Sequence, residues 1–167
     1  MKNTKKLTLA GVLTAIAVVG SLFSIPVLGA KCSPVQHMVN VIAGVVLGPW
    51  YAVGMAFVAS LLRNLMGLGS ILAFPGSMIG ALLCGLLYKL CPKLPAAYIG
   101  EVFGTGILGG IASYPLAAWL MNNKDAAMFT FVPSFLVSTA VGALISVLVL
   151  SALKRTNVLN QLEVSLR

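Results

Sequence analysis

Long apolar runs, broken at proline, glycine and small clusters of charge, organise this chain. The breaks predict six spans: about Leu7 to Gly29, Pro34 to Leu47, Trp50 to Leu65, Gly76 to Leu90, Ala96 to Met121 and Ala126 to Leu153. Pro34 suits the first turn of a helix, where its fixed φ helps and its missing N–H is not needed. Gly48-Pro49 predicts a tight turn into the third span, and Cys91 to Pro95, with Lys93 between two prolines, predicts a break before the fifth. Met66 to Pro75 reads as a glycine-rich connection, Asn122 to Asp125 as a polar loop, and the residues after Leu153 as a polar tail. A hydrocarbon core about 30 Å thick needs about 20 helical residues, so spans two, three and four are short. Some backbone at membrane depth then has to be buried inside the protein, and a cavity is built that way.

Composition agrees with the pattern. The 167 residues are 59% hydrophobic and 8% charged, against about 25% charged in an average soluble domain. The expected fold is all-α: a single membrane-embedded domain over residues 1–167, an integral bundle of six transmembrane helices. Lys2, Lys5 and Lys6 before an apolar run resemble a signal peptide. However, the run is long enough to span, further spans follow, and Lys31 stands before Cys32 where a lipobox needs a small residue. The formal charge of +8 forms no basic stripe interleaved with aromatics, so no nucleic-acid partner is expected. With the N-terminus inside, the cytoplasmic side collects Lys2, Lys5, Lys6, Lys89, Lys93, Lys154, Arg155 and Arg167, while the outer side keeps Lys31, Arg63 and Lys124. That bias predicts both termini in the cytoplasm.

Small residues recur at helical spacing: Ala10, Thr14, Ala17, Ser21 and Ser24 in span one, with Gly11 and Ala15 beside them; Gly76, Gly80 and Cys84 in span four; Gly100, Gly104 and Gly106, Gly110 in span five; Ser134, Ser138, Gly142 and Ser146 in span six. Such stripes let helix backbones approach closely where lipid is as apolar as leucine. Either internal packing or contact with another protein accounts for them, and the long stripe of span one suits a partner best. Cys84 and Cys91, about 10 Å apart along one helix, are too distant to bridge, so three free thiols are expected.

Enzymatic chemistry has little to work with: one histidine and three acids. There is no G-x-x-x-x-G-K-[ST] loop, no G-x-S-x-G elbow and no H-E-x-x-H pair, and Cys32 with His37 makes too few ligands for zinc. No catalytic residue, metal or cofactor is assigned. Instead, polar and aromatic side chains gather at the outer level: Gln36, His37, Asn40, Arg63, Asn64, Phe74, Ser77, Tyr114, Trp119, Ser134 and Ser138. An interfacial aromatic belt explains Trp119 and Tyr114 equally well. Asn40, Asn64, Ser77 and Ser138 lie in or at the edge of apolar runs, where unpaired polar groups are costly. A small-molecule pocket opening outward accounts for them together. Glu101, the acid within a span, is placed on the cytoplasmic half of span five, roughly 9 Å in at 1.5 Å per residue, with either a structural or a ligand role. Pro115 and Pro133 are expected to kink spans five and six and free backbone groups to line a cavity.

The segments Lys31 to Asn40 (KCSPVQHMVN), Leu47 to Tyr51 (LGPWY), Ser60 to Asn64 (SLLRN), Ala73 to Gly80 (AFPGSMIG) and Gly100 to Gly106 (GEVFGTG) resemble the substrate-binding S components of energy-coupling factor (ECF) transporters, and within them the ThiW type. The resemblance implies capture of a thiamin precursor, the thiazole moiety hydroxyethylthiazole, from outside a prokaryotic plasma membrane. It also implies docking on a transmembrane coupling subunit with two ATPase subunits, which use the ATP. By position, Ala10, Gly11, Thr14 and Ala15 would face the coupling subunit, and the loop Ala30 to His37 would gate the outer side. Gln36, His37, Asn40, Arg63, Asn64 and Ser77 would form the polar side of the pocket. The alternatives are an S component for thiamin or another vitamin, a small membrane enzyme using His37 or Glu101, and a structural membrane protein.

Overall fold

Seven helices and one short hairpin make up the computed structural model, in which residues 2–27, 30–123 and 127–166 are described. Helix α1 (Lys2–Gly20) runs on through a 3-10 turn, Ser21–Phe23, into the antiparallel strands β1 (Ile25–Val27) and β2 (Ala30–Cys32), paired Ile25 to Cys32 and Pro26 to Lys31. Then come α2 (Pro34–Val46), α3 (Pro49–Leu65), α4 (Ala73–Leu90), α5 (Leu94–Leu120), α6 (Val132–Arg155) and α7 (Val158–Leu166). Prolines open several of these helices: Pro34, Pro49, Pro95 and Pro133 all lie in first turns. Gly48, at φ +84°, makes the reversal between α2 and α3 that a Cβ would strain.

By length and composition α1, α4, α5 and α6 can each cross a membrane. Helix α2, with 13 residues, is about 20 Å long at 1.5 Å per residue, shorter than the hydrocarbon core. Leu7, Val12 and Val19 of α1, Leu22 of the 3-10 turn, Trp50 of α3, and Leu144 and Leu148 of α6 all face outward. So much exposed apolar surface suits lipid or a protein partner, not water. Lys6, Lys89, Lys93 and Lys154 lie at one end of the bundle, around Glu163 of α7.

Several expectations are corrected. The first run does not continue as helix to Gly29: after Phe23 the Ile25-Pro26-Val27 segment is extended, because Pro26 cannot donate within a helix. Residues 28 and 29 lie outside the described residues. The last long helix begins at Val132, not at Ala126, so Pro133 falls in its first turn and does not kink it. The tail is helical: Leu159 and Leu166 of α7 are buried on the bundle's end, and Tyr88 of α4 donates a hydrogen bond to Glu163 at 2.9 Å. Lys124 and Arg167, used in assigning orientation, also lie outside the described residues.

The contact of α4 with α5 fixes the position of the site. Cβ atoms built at Gly100, Gly104 and Gly109 would come within 2.5–2.8 Å of backbone at Cys84, Gly80 and Gly76 respectively. Along α4 these partners are spaced by four, while along α5 the spacing is four and then five. The π-helical stretch Val102–Gly109 supplies the extra residue that returns Gly109 to the same face. A second π turn, Leu116–Leu120, follows Pro115, so the helix continues past it.

Candidate functional site

At the end of the bundle away from the lysine cluster, a polar cavity lies under the hairpin. Lys31 and Ser33 come from β2 and the residue after it, Gln36 and His37 from the first turn of α2, and Arg63 from the last turn of α3. Ser70, Ala73, Gly76 and Ser77 come from the α3–α4 connection and the start of α4, Thr105 from α5, and Phe135 and Ser138 from α6. The cavity is small, about 30 Å³. It is therefore a narrow, nearly filled cleft.

Its floor is built on Glu101, which is 0% exposed. Oε1 accepts from Asn40 Nδ2 at 3.1 Å and from Thr105 Oγ1 at 2.9 Å, and lies 2.9 Å from His37 Nδ1. An ionised Glu101 can only accept, so in that contact His37 donates from Nδ1. Oε2 has no hydrogen-bond partner, and a Cβ at Gly80 would come within 2.8 Å of it and overlap Thr105 Oγ1. Gly80 thus leaves the space in which the carboxyl and hydroxyl lie. Helices α6 and α2 also meet closely here, Gly142 lying against Pro34 O and His37 Cβ.

One wall carries a second network. Arg63, 3% exposed, donates from Nη1 to Gln36 Oε1 at 3.0 Å, while Arg63 Nε and Gln36 Nε2 have no partner. Beside it, Ser77 Oγ donates to Ala73 O at 2.7 Å and lies 2.8 Å from Ser60 Oγ. Across the cleft Phe135 packs in the space that Gly76 leaves, giving an aromatic wall. The hairpin is tied down at three points: Lys31 Nζ donates to Gly67 O at 3.2 Å, Cys32 Sγ to Ser134 O at 3.2 Å, and Ser33 N to Ser138 Oγ at 2.9 Å. Burial pushes the Cys32 thiol up, with the Ser138 hydroxyl pulling the other way. Cys32, Cys84 and Cys91 are all free.

The structure thus brings together, in the cavity wall, Gln36, His37, Arg63, Ser77 and Ser138, with Asn40 and Glu101 directly beneath. Glu101 is held at that level by its contacts with His37 and Asn40 of the short helix α2. Other expected residues stand apart from the wall. Asn64 spends its amide on Ser60 O and Ser70 O, where it closes the α3–α4 connection. Phe74 packs on Phe57, ring centroids 5.6 Å apart. Ser134 is buried behind Cys32, Tyr114 is half-buried outside the lining, and Trp119 is 84% exposed at the end of α5. Sequence reasoning missed Thr105, Phe135, Ser33 and Ser70. Thr105 had a signal, since it follows Glu101 by one helical turn.

A second concave feature is an apolar groove between α1 and α3, lined by Leu7, Ala10, Gly11, Thr14, Trp50, Tyr51, Gly54, Met55 and Val58. Ala10 and Thr14 are buried at its floor, while Gly11 and Ala15 are exposed. Residues 7–156 match the family model described as "Thiamine-precursor transporter protein (ThiW)". No curated protein and no solved structure matches the chain.

Proposed function

The chain belongs to the thiamine-precursor transporter family ThiW, and from that premise we propose that it is the substrate-capture subunit of an ECF-type importer. It spans the prokaryotic plasma membrane six times with both termini in the cytoplasm and binds hydroxyethylthiazole in the cleft under the hairpin. The observation that carries this reading is the cleft itself. It joins an aromatic wall, unpaired donors and a carboxylate network at the end away from the lysine cluster, under a lid held by only a few hydrogen bonds. A heteroaromatic alcohol matches it: the ring packs on Phe135, and the ring nitrogen and hydroxyl meet polar groups. The lysine-rich opposite end agrees with the positive-inside rule.

Transport then follows from opening and closing of the hairpin. Release of the Lys31, Cys32 and Ser33 contacts exposes the cleft, and their re-formation over the ligand shields it from water. The groove between α1 and α3 offers small residues to a transmembrane coupling subunit, and two ATPase subunits supply the energy. Titration calorimetry of the purified chain, without partners or ATP, tests the capture step against hydroxyethylthiazole, thiamin and hydroxymethylpyrimidine. Saturable binding of the thiazole, weakened at least tenfold by His37→Ala, is expected; binding of thiamin or the pyrimidine in preference would overturn the substrate assignment.

A further inference from the structure

Arg63 is a buried cation whose neighbours do not neutralise it. Its one hydrogen bond goes to the neutral amide of Gln36, and no carboxylate among the described residues lies within 4 Å of its nitrogens. The other cation lining the cleft is Lys31. Glu101, the nearby acid, does not line the cleft: its Oε1 is taken by three neighbours, and its unpartnered Oε2 is buried against Gly80. Because Arg63 can only donate, its bond fixes the Gln36 amide with Oε1 toward the guanidinium and Nε2 free. The wall therefore holds two unspent donors, Arg63 Nε and Gln36 Nε2, both buried, which a ligand acceptor would satisfy once a side-chain movement uncovers them.

Resting on the capture reading above, we propose that Arg63 and Gln36 set the specificity of the cleft: they bind the acceptor nitrogen of an uncharged ring and reject a ring that carries positive charge. An unprotonated thiazole offers a lone pair to these donors. A thiazolium, in which that nitrogen is alkylated as it is in thiamin, has no lone pair and brings a second cation. At about 6 Å and an effective dielectric constant of about 20, the repulsion corresponds to roughly a hundredfold loss of affinity. The same wall would thus let a transporter of the precursor leave the finished cationic vitamin unbound.

Three ligands separate charge from hydrogen bonding: hydroxyethylthiazole, its N-methyl thiazolium, and the thiophene analogue with the ring's shape but neither acceptor nor charge. Calorimetry on the purified full chain is expected to rank them in the order thiazole, thiophene, thiazolium, with about tenfold between the first two from the lost acceptor and roughly a further hundredfold to the last from the charge. Gln36→Glu places a carboxylate against Arg63 with little change of shape, and should move the thiazolium ahead of the thiophene. Arg63→Met should narrow the whole span to within about fivefold. Equal binding of thiazole and thiophene, or a thiazolium rank unchanged in Gln36→Glu, would overturn the specificity assignment while leaving capture standing. Failure of the unaltered chain to bind any of the three would overturn both.

Discussion

The α4–α5 contact and the α1–α3 groove are made of the same small residue types at the same helical spacing, yet one is sealed and the other open. At Gly100, Gly104 and Gly109 a Cβ has no room, because backbone of α4 already lies there, whereas at Gly11 and Gly54 it would meet nothing within 4 Å. The sealed contact holds the floor of the cleft: Gly80, opposite Gly104, is also the residue against which Glu101 and Thr105 lie. The open one remains lined by Trp50, Tyr51 and Val58, with no helix among the described residues across it. Spacing announces that a backbone can come close; only the space left over tells whether that backbone belongs to the same chain.

Gly104→Leu is the substitution that would break the sealed side of this comparison most severely. Its side chain has to displace the backbone at Gly80, where a Cβ alone stands 2.8 Å from Cα, so a loss of about 3 kcal/mol is expected from overpacking. Thermal unfolding of the purified protein in detergent measures it, and ligand binding should fall in parallel because the floor moves. An unchanged melting temperature would mean that the helices are not in contact there.

A smaller effect is expected at the lid. Ser138→Ala removes the acceptor of Ser33 N, worth about 1 kcal/mol for a neutral hydrogen bond, or roughly fivefold in the fraction of open lid. Alkylation reads this directly, since Cys32 is buried under the hairpin and Cys91 is exposed. Cys91 should react at once in every sample. Cys32 should react slowly, about fivefold faster in Ser138→Ala, and more slowly again with hydroxyethylthiazole present. Equal rates at Cys32 with and without ligand would separate the hairpin from substrate capture.

These differences also explain what could be read along the sequence. The Gly48-Pro49 reversal was legible because a proline and a positive-φ glycine act locally; Asn40, Ser77 and Ser138 stood out as polar groups in or at the edge of apolar runs, and Gln36, His37 and Arg63 by gathering at one level with them. The hairpin was hidden because Ile25 and Val27 are as apolar as the helix before them. Helix α7 showed its period in Leu159, Leu162 and Leu166, but its polar composition masked it. The π-helical register of α5 has no local signal at all: the added residue before Gly109 makes sense only against Gly76. Phe135 was missed for a like reason, as a phenylalanine in an apolar run looks the same facing lipid or facing a cleft.

The open side of the comparison yields the smallest structural effect and the sharpest functional one. Gly11→Leu puts a side chain into empty space, and replacing glycine within a helix adds up to about 1 kcal/mol of helix propensity, so the purified protein should melt no lower than before and bind hydroxyethylthiazole unchanged. Uptake into cells or vesicles that contain the coupling and ATPase subunits should nevertheless collapse, because the leucine fills the groove in which a partner's backbone would lie. Full uptake would show that the groove faces only lipid. Loss of binding together with uptake would show that the groove and the cleft communicate, which the separate networks described above do not predict.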